Sequence, residues 1–391
     1  MRAATTPAPI PSERFEKADF VAACKQDPAS LVYFVLNVGD GDTQLLLLPQ
    51  DPGDPADSRR AIVVDVATNR KLPGLIEELA HHGLFPERPR GDEIPLVVGT
   101  HPHDDHLGGM PEFLAWFGDH ISEYWDSGYY HPTSAYLETM VRLEGLKKVL
   151  VTQPTSGMTR YLGTLKIRAI APGVGLRTRF DTLGININDA SIALSFEFPA
   201  ARIVQKGENR RYRRPRSPWS LLLGADAQTA SWAQATIDFP QLLAAGELRK
   251  LLDEPMGADP LRAQIFKVPH HASKHGVNIE LVERVDPDLC LVSSVGGAGR
   301  YNFPHQLALE SIREGMEPTT SGQSRTPDHE LTVLYTSDRR GVRSKDPLGS
   351  IAVMIPPRKG DGLTVWRFED DPKQPIDLTK ALRFKPTKKR R

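Results

Sequence analysis

From Leu31 onward the chain runs as short apolar stretches separated by turn residues. LVYFVLNVGDGDTQLLLL holds two apolar runs around a Gly/Asp turn. It predicts a β-hairpin with strands at 31–37 and 43–48 and the turn at Gly39–Asp42. AIVVDV reads as a third, buried strand, and LPGLIEELAHHGL as an amphipathic helix opening at a proline. IPLVVGT is another buried strand, and it runs straight into HPHDDHLGG. The helix MPEFLAWFGDHI follows, then a Tyr/Trp-rich segment to about residue 150. Further strands are predicted in TLKIRAIAP, NDASIALSFEF, SPWSLLLGAD, QIFKVPHH and LCLVSSVGG. Helices fall within 229–256 and near 305–314, and short strands lie in LTVLYTS, SIAVMI and LTVWRF. Strands alternating with helices predict an α/β layered fold, in which loops just past the strand C-termini are the usual place for chemistry.

This pattern divides the chain into an N-terminal extension (1–28), one domain (29–370) and a basic tail (371–391) ending in KPTKKRR. No internal repeat interrupts it. The 391 residues are 39% hydrophobic and 25% charged, a mixture that can bury a sizeable core. The formal net charge is zero, so any preference for nucleic acid must come from local clusters. Neither the Pro-rich N-terminal stretch nor any apolar run is long enough for a signal peptide core or a membrane span, so a cytoplasmic protein with no membrane partner is expected. Cys24 and Cys290 sit in helical and strongly apolar contexts and read as small buried hydrophobes.

Four segments carry candidate chemistry. In THPHDDHLGG, His101 and His103 on a tight loop after a strand can aim two imidazoles at one ion, and Asp105 and His106 can aim at a second beside it. Imidazole with carboxylate suits Zn2+, Mn2+ or Fe. In SLLLGAD, Asp226 ends an apolar strand, where a carboxylate can bridge two cations and offset their repulsion. In KVPHHASKHG, adjacent side chains on an extended chain point apart. One histidine is then a ligand, for which His271 is the choice, and His270 a substrate contact or second ligand. His275 reads as a surface or substrate-side residue. In SSVGGAGRYNFPH, Asn302 and His305 could reach a phosphate or a leaving group.

HPHDDH fits the HxHxDH signature of the metallo-β-lactamase superfamily, and the GxD and HH segments follow in the order found there. Over about residues 30–310 the chain resembles one branch in more detail: the hydrolase domain of ComEC-type DNA-uptake proteins and the related phosphorylcholine esterases. Val38-Gly39-Asp40-Gly41-Asp42, VVDVA with Asp65, Asn188-Asp189-Ala190-Ser191, LLLGAD, VPHHAS and NFPH carry that similarity. The resemblance implies a four-layer αβ/βα sandwich with a dinuclear site at its edge. It implies His101 and His103 on one divalent ion, Asp105, His106 and His271 on the other, and Asp226 between them. Two departures stand out. Many members have a further histidine between the first motif and the bridging aspartate, whereas His120 and His131 come too early and read as surface or aromatic-cluster residues. Water or His270 then completes the first ion, or that ion is weakly held. Ala272 also stands where glycine is usual. ComEC-type proteins carry membrane segments, so DNA uptake is not expected to transfer.

These readings converge on a hydrolase that uses two divalent ions, Zn2+ or Mn2+, to activate water, with Asp105, His270 and His305 as candidate catalytic groups and a phosphodiester as the favoured substrate. Lys274 and Asn302 are further candidate donors. Arg202, Lys206, Arg210, Arg211, Arg213, Arg214 and Arg216 crowd one loop that could track a phosphate backbone. Tyr124, Trp125, Tyr129 and Tyr130 could stack on a base or fill the core. Hydrolysis of a small ester, lactone or phosphocholine-like group, and a metal-binding interaction component with vestigial activity, are the competing readings.

Overall fold

A computed structural model of the chain describes residues 15–50, 59–87, 91–177, 186–200, 202–206, 209–213, 218–244, 260–294, 303–316, 333–337 and 348–386. Two large sheets dominate these residues. The first has ten strands, in spatial order Glu16–Lys17, Leu382–Phe384, Thr364–Arg367, Ile351–Ile355, Leu31–Val35, Thr43–Leu47, Ala61–Val66, Leu96–Gly99, Glu123–Asp126 and Leu150–Thr152. The second has seven, in the order Val333–Tyr335, Leu289–Val292, Ile265–Lys267, Trp219–Leu223, Leu194–Phe198, Leu165–Ala169 and Thr159–Leu162.

The period-two alternation of each strand sorts its side chains into separate cores. Val32 and Phe34 pack with Phe20, Leu75, Met110 and Phe113 beneath the helices Phe20–Gln26, Lys71–His81 and Met110–Phe117. Their neighbours Leu31, Tyr33 and Val35 face Phe196, Leu221 and Leu291 of the second sheet. The far side of that sheet, through Phe266, Cys290 and Val292, packs against Trp232, Val282 and Ile312 of the helices Thr229–Ala244, Ile279–Val285 and Gln306–Met316. The order is therefore helix, sheet, sheet, helix: a four-layer αβ/βα sandwich. No helix among the described residues is long and apolar enough to cross a membrane.

The first and last described segments are tied in more closely than the sequence suggests. Glu16–Lys17 pairs with Leu382–Phe384, which pairs in turn with Thr364–Arg367. Phe20, Cys24, Ile376 and Leu378 are buried. These segments are too short and too interrupted by charge to give a periodic signal, and their order comes from pairing partners far away in sequence. The backbone of the arginine-rich segment is an antiparallel hairpin, Arg202–Lys206 against Asn209–Arg213, and not an open loop. Arg214, Arg216, Asn302 and the last residues of the basic tail lie outside the described residues.

Parallel strands govern where the chemistry falls. Ala61–Val66 runs parallel to Leu96–Gly99, and Trp219–Leu223 to Ile265–Lys267, which is parallel to Leu289–Val292. Within each sheet these strands end at one edge, each followed by a loop, and contacts such as His106 with Asp226 bring the two sets of loops together.

Candidate metal centre

Each strand in that group delivers a polar side chain at or past its C-terminal end. Asp65 takes a left-handed backbone (φ 58°) near the end of Ala61–Val66. Its Oδ1 accepts from the Thr100 amide and its Oδ2 from the Thr100 hydroxyl, both at 2.8 Å. His101 and His103 follow Thr100 on the turn, and the short helix Asp104–Leu107 carries Asp105 and His106. Glycines let the backbone pack tightly here. A Cβ on Gly41 would lie 2.5 Å from the Asp105 carbonyl oxygen, which also accepts from the Asp42 amide at 3.0 Å. A Cβ on Gly109 would lie 2.3 Å from the Thr68 carbonyl carbon.

Asp226 is buried at the centre of the cluster. His106 Nε2 lies 3.2 Å and His271 Nε2 3.8 Å from its Oδ1, while His101 Nε2 and His270 Nε2 each lie 3.6 Å from its Oδ2. Asp105 Oδ2 is 3.6 Å from His271 Nε2, and His103 Nδ1 is 3.1 Å from His101 Nε2. Two donor groups emerge, each with its ligand atoms within 4.8 Å of one another: Asp105, His106, Asp226 and His271, and His101, His103 and Asp226. They share Asp226.

Buried polar atoms normally find a partner, because an unmet donor or acceptor costs about 1–3 kcal/mol. Here His106 Nε2, His271 Nε2 and Asp226 Oδ1 are buried and complete no hydrogen bond. Their far sides are well tied. Asp65 Oδ2 is 2.7 Å from His106 Nδ1. His271 Nδ1 lies 3.1 Å from the Ser293 carbonyl oxygen and 3.2 Å from its hydroxyl, which donates to Asp42. Asp42 in turn pairs with the fully buried Lys267 at 2.9 Å. Both imidazoles are thus held on the Nδ1 side by hydrogen bonds that fix the ring and direct Nε2 inward, the arrangement that serves a metal ligand. The residues present therefore fit divalent cations.

The charges agree with this geometry. Burial opposes protonation of His106, yet Asp226 and Asp65 outweigh it and hold its pKa well above the usual imidazole value. His271 is raised too, with Asp105 and Asp226 overcoming burial. His101 and His103 are lowered, chiefly by burial. Burial would raise Asp226, but His106 and His270 bring it well below the usual carboxylate value. Asp105 and Asp226 are thus favoured in the ionised form among competing imidazoles, while burial raises Asp65.

The histidine pair departs from the extended chain expected of it. His270, His271 and Ala272 all have positive φ, at 50°, 51° and 61°. The turn is left-handed, so both rings face Asp226 and do not point apart. His131 meets His103 edge-on with ring centroids 5.1 Å apart, and His120 instead bonds Glu93 at 3.0 Å. His305 Nδ1 accepts from the Leu307 amide at 3.2 Å. Lys274 and His275 are exposed. Tyr124, Trp125 and Tyr129 are buried in the core, whereas Tyr130 is 66% exposed. Thr100, Ser293, Gln228 and the Lys267–Asp42 pair went unrecognised as site residues in the sequence. Asp42 left a trace there as the last residue of the Val38–Asp42 motif, and Lys267 as a lone charge inside the apolar run IFKV.

Residues 56–182 match the family model described as Metallo-beta-lactamase superfamily. ComE operon protein 3 of Bacillus subtilis (strain 168) is 28% identical over 142 residues, which make up 35% of this chain and 15% of that protein. The chain thus spans a small part of that relative. Among solved structures, CmlA, a diiron beta-hydroxylase from Streptomyces venezuelae, is 13% identical with a TM-score of 0.34, covering 74% of this chain and 47% of that one. A long form RNase Z from yeast is 10% identical with a TM-score of 0.36, covering 68% and 38%. At such scores neither neighbour bears on substrate or metal.

Proposed function

Since the chain belongs to the metallo-beta-lactamase superfamily, we propose that it is a hydrolase working with two divalent cations, with a phosphodiester as its substrate. The observation that carries this reading is the pair of donor groups meeting at one buried carboxylate. His101 and His103 would hold one ion, Asp105, His106 and His271 the other, and Asp226 would lie between them. Bound there, the cations, Zn2+ or Mn2+, supply an acidified water and Lewis-acid polarisation of a substrate oxygen.

The chain's own residues do the rest. Asp226 turns one oxygen toward each donor group and would offset the mutual repulsion of two cations held there. Asp105 is part-exposed at the edge and held ionised, since His271 and His106 outweigh its burial. It is suited to orient the attacking water and take its proton. His270 presents a further imidazole on the His101 side. His305 has Nδ1 engaged at the start of Gln306–Met316, which leaves Nε2 as the atom to meet a leaving group. The similarity to the DNA-uptake branch, including the match to ComE operon protein 3, supports a phosphodiester over a lactam. The arginine-rich hairpin offers a route for nucleic acid.

A metal-resolved screen of bis-(p-nitrophenyl) phosphate, cyclic nucleotides, RNA and DNA tests the reading, with Asp105→Ala as the blank. Metal-dependent turnover that the blank lacks supports it. Turnover of simple carboxylic esters alone would move the assignment to the ester class.

A further inference from the structure

The two donor groups are unequal. One brings together four side chains, Asp105, His106, Asp226 and His271, and the other only three, His101, His103 and Asp226. We propose that His270 is the protein ligand that completes the smaller group, so that two consecutive histidines serve two different ions. The proposal deepens the dinuclear reading and rests on it.

Asp226 divides the site by its two oxygens. His106 and His271 approach Oδ1, and His101 and His270 approach Oδ2. His270 therefore lies on the side that is one donor short. Adjacent residues reach opposite sides of a carboxylate because of the left-handed run from His270 to Ala272. Non-glycine residues in that region are strained and persist where the surroundings enforce them. Here the enforcement is visible. The His270 amide donates to the Ala225 carbonyl at 2.8 Å, and the Ser273 amide to the His270 carbonyl at 2.7 Å. Gly276 leaves room, since a Cβ there would come within 3.1 Å of His270 Cβ. A turn held this firmly directs the second ring to a defined place.

The ring is held more loosely than its neighbour's. Gln228 Nε2 is 3.3 Å from His270 Nδ1, and Asn188 Nδ2 is 3.5 Å from Nε2. Both are long contacts to neutral amides, unlike the network behind His271. His270 is absent from the set of donors that all lie within 4.8 Å. To act as a ligand, His270 would exchange the long Asn188 contact at Nε2 for the ion, and Gln228 is placed to hold Nδ1. His131, the alternative imidazole, faces the His103 ring.

The test counts ions. Asparagine tolerates left-handed backbone, so His270→Asn preserves the turn. After dialysis against limiting Zn2+, mass spectrometry and titration calorimetry should find two ions on the parent. They should find one tight ion on His270→Asn, with the other weakened at least about 10-fold, and two on His131→Asn. In His270→Cys loaded with Co2+, a thiolate-to-cobalt charge-transfer band should appear that the parent lacks. That band decides the matter if the asparagine variant fails to fold. Two equally tight ions on His270→Asn, or no new band in folded His270→Cys, overturn the proposal and leave the dinuclear hydrolase standing. Fewer than two ions on the parent overturn both.

Discussion

Replacing Asp42 by asparagine preserves shape and removes the charge that faces Lys267. Both side chains are fully buried, 2.9 Å apart, and they join the two sheets directly beneath His271. In the variant the ammonium retains only the Val268 carbonyl at 3.2 Å and an amide oxygen. Breaking a buried pair by removing one partner costs about 3–5 kcal/mol, because the remaining charge is desolvated without compensation. Lys267→Met leaves the carboxylate in the same position and is expected to cost a similar amount. Removing both charges, in Asp42→Asn with Lys267→Met, should cost less than either single change and give a coupling of at least about 2 kcal/mol. Urea unfolding followed by circular dichroism measures all four proteins. Chelator in every sample keeps ion binding from adding its own stabilisation. Single variants within about 1 kcal/mol of the parent, or a double variant as unstable as the sum of the singles, would refute the reasoning.

Three further outcomes follow from the site. His103→Ala or Asp105→Ala should lower phosphodiester turnover by at least about 100-fold while circular dichroism stays that of the parent; unchanged turnover on a substrate the parent hydrolyses contradicts the assigned roles. In the metal-free protein His106 and His271 have raised pKa values, so they hold protons that ions must displace, whereas Asp226 is already ionised. Metal affinity should then rise with pH across neutrality, with proton release visible in calorimetry as a dependence on buffer ionisation enthalpy. A pH-independent affinity excludes that charge state. Burial pushes the Cys24 thiol up to about 12, so at pH 8 it should resist thiol reagents until the chain unfolds, and rapid labelling of the native protein would contradict its buried position.

How much of this was legible in the sequence depends on whether the cause was local. HPHDDH is dense enough in ligands to reveal itself, and Asp226 is recognisable as the end of an apolar strand. The layers follow from the alternation within LVYFV and AIVVDV. The backbone of the histidine pair departs from the expected extended chain because its left-handed run places His, His and Ala where glycine is favoured, and nothing local predicts that backbone. The hydrogen bond from Ser293 to Asp42 joins residues 251 apart in sequence, and the Lys267 bond to Asp42 joins residues 225 apart. No window along the chain contains both partners. The closing strand Leu382–Phe384 is hidden for the same reason: its order comes from Thr364–Arg367 and Glu16–Lys17.

Anomalous diffraction from crystals grown with Zn2+ or Mn2+, recorded at the absorption edge of the metal, addresses the dinuclear claim most directly. Two peaks roughly 3.5–4 Å apart, one on each side of the Asp226 carboxylate and with His271 beside one of them, are the expected result. A single ion remote from Asp226, or no peak between the 101–106 turn and His271, would contradict it.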